Sequence, residues 1–392
     1  MTSEPTRLVF LQNGSLFDHY GGIEYYLDDL ATLCGETFGF ENVWAILPRR
    51  VEGPPPRTPY RSTFVPRAGK GWRAKLENRF SPAYFARARE AIRRLKPSFL
   101  VNGHVSLGPL TYALSRLEKI PYLTVVYGIE CWGALWPQDE LSLRAAHGIL
   151  SISHWTKKVL VERGYDGNRV HIIQPRLATA YERTTEAPEE RTADGPFILL
   201  TVSRLDATES YKGHDHVIQA LALLKKNSPD LELRYVIQGG GSDRERLEKL
   251  TKDLDLGDRV DFRNPVNDRK DLDALYRTAD VFVMPSRYGY WDGMWRGEGF
   301  GIVYLEAASF GLPSVAYDCG GATDFIRHGE TGRLVRPDDI DALAATIGEL
   351  ARNRPENRRL GRGAFERVMR DFTRPAIRRQ LEAALSDARK EL

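Results

Sequence analysis

Two spacings of apolar residues alternate along this chain. Short apolar runs stand at 7–12 (RLVFLQ), 43–48, 98–103, 122–127, 148–153 and 169–174. Between most of them apolar residues return every three or four positions, as over 82–96, 108–118 and 154–163. The runs predict strands and the intervening stretches predict helices; Ile23, Tyr26, Leu27, Leu30 and Cys34 mark the first helix. Strands that alternate with helices predict a parallel sheet covered on both faces. The alternation pauses at 179–196, a charged stretch with two prolines, and restarts at 197–203, 233–239, 259–263, 280–286 and 313–318. The expectation is α/β, with two doubly wound Rossmann-like domains. They are placed at 1–180 and 195–372, facing each other across a cleft at the carboxyl ends of their strands. A last helix over 374–390, within a tail 373–392, has no strand after it and is expected to cross back to the N-terminal domain.

Composition narrows the class. The 392 residues carry 56 basic and 53 acidic side chains, so a nucleic-acid-type charge excess is excluded and no nucleic-acid partner is expected. Cys34, Cys131 and Cys319 are too few and too scattered for a disulfide framework. The start, MTSEPTRLVFLQNG, has no apolar leader core, and no run approaches the roughly 20 residues of a membrane span. A cytoplasmic location is expected, with any membrane contact peripheral.

Chemistry is expected in the loops that follow strands. Gly21 and Gly22 (DHYGGIEYY, 18–26) suit either a tight strand-to-helix turn or an anion resting on helix N–H groups. Arg204 and Lys212 lie eight residues apart in SRLDATESYKGHD (203–215). They are either solvated surface cations or a pair converging on a diphosphate, Arg as a fork and Lys as a point charge. In RGEGFGIVYLEAASFG (296–311), Glu298 reads as loop and Glu306 as about one turn into a helix, both near its N-terminus. The N–H groups of Phe300, Gly301 and Ile302 stand between them, a set suited to a ligand with both hydroxyls and phosphate. GGGSDR (239–244) begins like a dinucleotide fingerprint, but Arg244 occupies the third glycine position. The histidines form no metal set, and no metal is expected.

Together GGIE (21–24), SRLD…YKGHD (203–215), EGFGIVYLEA (298–307) and GGATDFI (320–326) resemble the retaining glycosyltransferases of family 4, which have the GT-B fold. The resemblance covers nearly the whole chain in order. It implies that Gly22 gives its amide to the donor diphosphate and that Arg204 and Lys212 neutralise that group as it leaves. It implies Glu298 on hydroxyls of the transferred sugar, Glu306 on the ribose, and the nucleobase near Gly239 and 263–267. Tyr127, in VYGIE, stands where the family commonly has a sugar-pocket histidine, and is counted with Arg204, Lys212 and Glu298 as catalytic. His104 in NGHVS is either its neighbour in that pocket or an ordinary loop histidine. QPRLA (174–178) replaces the family's usual Asn-Gly.

The implied activity is metal-independent transfer of a hexose from a UDP- or GDP-linked sugar to a glycan or lipid-linked acceptor. The donor is a substrate and no cofactor is expected. The competing readings are a catalytically silent sugar-nucleotide or glycan binder and, weakened by Arg244, a two-Rossmann oxidoreductase or epimerase. Residues 49–96 hold fourteen Lys and Arg against three acids, beside Trp72, Phe80, Tyr84 and Phe85. That stretch is either a solvated face or a contact with an anionic membrane surface. SRYGYWDGMWR (286–296) reads as an aromatic loop that either stacks on a sugar or packs against protein.

Overall fold

A computed structural model describes residues 5–13, 22–49, 58–66, 81–182, 195–266 and 268–390. Gly21, most of the 179–196 segment, Asn267, Trp72, Phe80 and much of the basic 49–96 stretch lie outside these. The chain divides into two compact units. One is Met1–Pro175 with Ile377–Leu392, the other Arg176–Ala376.

The first unit is built on β1 (Leu8–Leu11), β2 (Val43–Arg49), β3 (Arg61–Pro66), β4 (Phe99–Asn102), β5 (Tyr122–Val126), β6 (Gly148–Ser151) and β7 (Val170–Ile172). They form one sheet in the order β3-β2-β1-β4-β5-β6-β7, every pair parallel. All four residues of β1, β4 and β6 are buried, as a strand covered on both faces requires. The sequence runs there are mainly apolar, with Asn102 and Ser151 closing β4 and β6, and they register as strands. β3 escaped the sequence reading because RSTFVP is half polar. It is an edge strand, and its closing Pro66 is tolerated there because an edge asks for fewer ladder N–H groups.

The second unit contains β8 (Phe197–Val202), β9 (Leu233–Gln238), β10 (Val260–Arg263), β11 (Val281–Val283), β12 (Gly289–Trp291), β13 (Met294–Arg296), β14 (Ser314–Tyr317) and β15 (Gly332–Val335). Its main sheet runs β10-β9-β8-β11-β14-β15, again parallel. Both sheets thus have the doubly wound order, with the direction of winding reversing between β1 and β4 and between β8 and β11. The predicted strand at 280–286 is shorter, because Pro285 cannot donate to a ladder. The predicted aromatic loop is instead an antiparallel hairpin of β12 and β13. Asp292 and Gly293 at its tip both take positive φ, 53° and 77°, the conformation of a tight hairpin turn.

The final helix, Arg374–Lys390, joins the first unit from Ile377 onward. Gln380 accepts from the Gln174 amide at 2.9 Å through Oε1 and donates to the Gln174 side chain, while Arg389 donates to Thr6 at 2.6 Å.

Candidate functional site

In the second unit, the loops after β8, β9 and β11 leave neighbouring strands at the point where winding reverses. The first is a short 3-10 helix, Ala207–Lys212, capped by Asp206, whose Oδ1 accepts from Thr208 N at 2.9 Å. One turn of this helix brings Glu209 under both expected cations. Arg204 Nη2 donates to its Oε1, and Lys212 Nζ donates to its Oε2 at 2.7 Å. The two cations that spacing alone left eight residues apart therefore share one carboxylate. They differ in burial: the Arg204 side chain is 69% exposed and that of Lys212 only 11%. The solvated-cation alternative fails for Lys212, since Tyr211 and Lys212 are the buried members of this helix. Glu209 was missed. Its only signal was an acid three residues before Lys212.

Gly213 ends the turn at φ 77°, and a Cβ there would lie 2.4 Å from the Pro285 carbonyl oxygen. The next helix, His214–Asn227, opens with His214. Burial, then the nearby Lys212 ammonium, hold that imidazole down to about 3, so it is neutral and shares a 2.8 Å hydrogen bond with Ser203.

Gly239 has φ 152°, and its missing Cβ would fall 1.8 Å from the Ser203 carbonyl oxygen. Gly241 stands likewise against Leu205. Local backbone approach requires both glycines. It locks the 239–241 loop onto the cation loop through Leu205 N to Gly240 O at 2.9 Å and Asp243 N to Leu205 O at 2.8 Å.

Glu298 lies in the loop before the Ile302–Ser309 helix, whose N-cap Gly301 is left-handed at φ 84°. Gly320 and Gly321 hold that loop from behind. Gly321 N donates to Glu298 O at 2.7 Å, and a Cβ on Gly321 would be 2.3 Å from Phe300. Phe300 is 2% exposed, so its side chain is core and only its backbone is offered to a ligand. The first turn of the helix leaves N–H groups without intrahelical partners. Burial raises the Glu298 carboxyl above the usual carboxylate range; the Lys212 ammonium opposes this, Glu209 adds to it, and Arg204 opposes it. The loop after β11 and the loop after β8 therefore form one electrostatic unit.

Glu306 is in the second turn of the same helix and accepts from the Tyr276 hydroxyl at 2.9 Å. Burial raises its carboxyl, while that hydrogen bond and Arg269 oppose the rise. Tyr276, thirty residues away, carried no sequence signal for this role. Its ring stacks on Phe310 at 5.3 Å, and Tyr181 meets Phe310 edge-on at 5.6 Å.

In the first unit, Gly22 starts the Gly22–Phe38 helix, and a Cβ there would meet nothing within 4 Å among the described residues. Tyr127 follows β5 and is 7% exposed, and its hydroxyl donates to the Gly103 carbonyl at 2.9 Å. Burial, with Tyr26, Glu130 and Glu24 adding, holds that phenol well above its ordinary range. Its proton is committed inside the unit. His104 follows β4 and stacks on Tyr127 with centroids 6.3 Å apart. Its Nδ1 accepts from Ser106 N at 3.1 Å, capping a short turn. The structure thus brings Tyr127 and His104 together, and Arg204, Lys212 and Glu298 together. Among the described residues no group of three His, Cys, Asp or Glu is placed to hold a metal ion.

Two Rossmann-like units, each on its own parallel sheet, with this loop chemistry define the GT-B class of proteins. The comparisons agree. The model for glycosyl transferases group 1 matches residues 182–367, and that for glycosyltransferase family 4 matches 20–177. The chain belongs to glycosyltransferase family 4. It is 39% identical over 261 residues to a GDP-mannose-dependent alpha-(1-6)-phosphatidylinositol monomannoside mannosyltransferase of Mycolicibacterium smegmatis, over 62% of this chain and 63% of the relative. It is 32% identical to a D-inositol 3-phosphate glycosyltransferase of Corynebacterium urealyticum, over 48% of this chain and 45% of that one. The matches thus span about half to under two thirds of these curated relatives. A crystal structure of Anabaena HepE in complex with UDP shares the fold at TM-score 0.75 and 17% identity, covering 97% of this chain and 100% of that one.

Proposed function

We propose that this protein moves a hexosyl group from a UDP- or GDP-linked sugar to a hydroxyl of a glycan or lipid-linked acceptor, with retention and without a metal. The observation that carries this is the Arg204–Glu209–Lys212 cluster coupled to Glu298 at the end of β8 and β11. The bond from the anomeric carbon to the diphosphate breaks, and negative charge develops on the departing phosphate. Arg204, Lys212 and the amides at Gly301 and Ile302 stabilise that charge from fixed positions. Glu298 holds sugar hydroxyls and favours the oxocarbenium character opposite. The acceptor oxygen bonds to the anomeric carbon on the face the diphosphate leaves, and its proton goes to the phosphate. Glu306 takes the ribose, and the base lies near Gly239. Tyr127 serves as a buried wall on which His104 stacks.

The names of the curated relatives support a glycolipid pathway step. The described part of the basic stretch supports work at an anionic surface. Arg87, Arg93 and Arg94 on the Pro82–Leu95 helix are 59%, 59% and 67% exposed. No helix among the described residues is long and apolar enough to cross a membrane.

The test is donor hydrolysis and thermal shift across UDP-, GDP- and ADP-linked sugars, with NAD as control and EDTA present. A shift with one nucleoside diphosphate together with sugar release supports the transferase. Binding without turnover supports the silent binder, and a shift with NAD alone overturns both.

A further inference from the structure

The β12–β13 hairpin does nothing for the chemistry above, yet it carries three aromatic residues, with Tyr288 just before it. An isolated two-stranded hairpin is marginal in water and needs external support. This one is anchored at its base to the cation loop. Arg287 N donates to Tyr211 O at 2.7 Å, Arg287 Nη2 to Ser210 O at 2.8 Å, and Arg296 Nη1 to Thr208 O at 2.8 Å.

Register then sorts the rings. Tyr290 pairs with Trp295, and Trp291 pairs with Met294. Because side chains alternate, Tyr288 shares the face of Tyr290 and Trp295. The ring contacts agree: Tyr288 stacks on Trp295 at 5.1 Å, and Tyr290 meets Trp295 edge-on at 5.9 Å. Trp291, on the other face, folds over Gly289, where a Cβ would lie 2.7 Å from its ring. Arg287 sits 5.8 Å from its centroid. Trp291 is therefore spent on holding the hairpin, whereas Tyr290 remains 62% exposed.

We propose that the Tyr288–Tyr290–Trp295 face is an acceptor-side carbohydrate subsite that takes one pyranose ring of the acceptor. This rests on the transferase reading. Three points favour a sugar. Aromatic rings with a polar edge match a pyranose, which has an apolar C–H face and a hydroxyl rim. Asp292, exposed at the turn between the two strands, supplies a polar partner at the edge of this face, while Arg287 and Arg296 fall on the Trp291 face. Only Gly297 separates Arg296 from Glu298, so about 7 Å of chain joins the hairpin base to the transferred sugar's carboxylate. A ring on this face is thus a neighbour of the reacting one. A second copy of the chain is disfavoured by area, because a stable dimer buries about 800 Å² per partner and three partly covered rings fall short.

The probes are methyl glycosides and disaccharides of mannose, glucose and galactose, followed by saturation-transfer NMR and, for any that accept sugar, by transfer kinetics. Tyr290→Ala, at an exposed position, is expected to weaken the bound sugar or raise its acceptor KM about three- to tenfold. Tyr290→Trp restores it, and Met294→Ala on the opposite face does not change it. Nucleoside diphosphate affinity in Tyr290→Ala stays parental. If no sugar binds, or Tyr290→Ala binds it as the parent does, the subsite is overturned. An equal fall in nucleoside diphosphate affinity makes the hairpin a prop for the cation loop and also overturns it. Loss of Tyr290→Ala from phosphatidylcholine vesicles that retain the parent points to lipid instead. Failure of the transferase reading shows separately, as a parent with no nucleoside diphosphate shift.

Discussion

Glu209 Oε2 lies 2.7 Å from Lys212 Nζ, and the other oxygen of the same carboxylate accepts from Arg204. A carboxylate therefore holds, in this structure, both cations assigned to the donor diphosphate. It aims them and it competes with the ligand for them.

Glu209→Gln leaves the largely buried Lys212 ammonium short of a counterion. The ligand-free protein is expected to melt lower, by about 1–3 kcal/mol of stability. The diphosphate then becomes the missing counterion, so nucleoside diphosphate affinity rises several-fold. Differential scanning fluorimetry with and without the nucleotide reads both. A parental melting temperature with weakened nucleotide binding contradicts the counterion account.

Arg204→Ala and Lys212→Ala both remove a preorganised charge and should cost roughly 100- to 1000-fold in turnover. Their stabilities should separate. Arg204 is exposed, so its loss stays within about 0.5 kcal/mol. Lys212 is buried against Glu209, so its loss costs about 1–3 kcal/mol. Lys212→Arg does not rescue, because a planar fork replaces a compact ammonium. Near-parental turnover in folded variants would sink the transferase mechanism.

Glu306 and Tyr276 should act together. Glu306→Ala is expected to weaken nucleoside diphosphate binding about tenfold. Tyr276→Phe, which removes the 2.9 Å donor, should weaken it less, and the double variant should fall short of the sum because the two share one interaction. Calorimetric titration of the four proteins closes the cycle; additive losses refute the coupling.

Glu298 is raised by burial, so the folded protein keeps its proton to a higher pH than the unfolded chain does. The folded state binds more protons in that window, and stability falls as pH rises from the ordinary carboxylate range through the raised value. Glu298→Gln removes this cost. Its melting temperature should exceed the parent's at pH 7 and converge with it in acid, while turnover is lost. A variant less stable than the parent at pH 7 rejects this.

At low salt the parent should sediment with anionic vesicles, and Arg87→Ala/Arg93→Ala/Arg94→Ala should sediment less. Added salt should release the parent, since exposed charges are screened within about 10 Å at 0.1 M. Equal sedimentation with neutral vesicles removes the electrostatic reading.

The alternation of apolar runs with helical periods by itself determined the two parallel-sheet units, because strands buried on both faces are nearly continuous apolar runs. The motifs around Arg204, Lys212, Glu298 and Glu306 were legible for a related reason. Loops that leave adjacent parallel strands at one edge are brought together by topology alone. Tertiary structure decided what those residues touch. Glu209 looked like one surface acid among many until a turn of 3-10 helix set it between two cations. Tyr276 reaches Glu306 only across a packed unit. The Tyr127 hydroxyl is committed to the Gly103 carbonyl, a bond between loops of different strands. The glycines at 239 and 241 serve a backbone approach that no local pattern announces. The aromatic segment before Glu298 carried a turn signal in Asp292–Gly293, but only strand pairing revealed which rings share a face. Periodicity records burial along one element; contact between elements is set by packing, and its partners lie far apart in the chain.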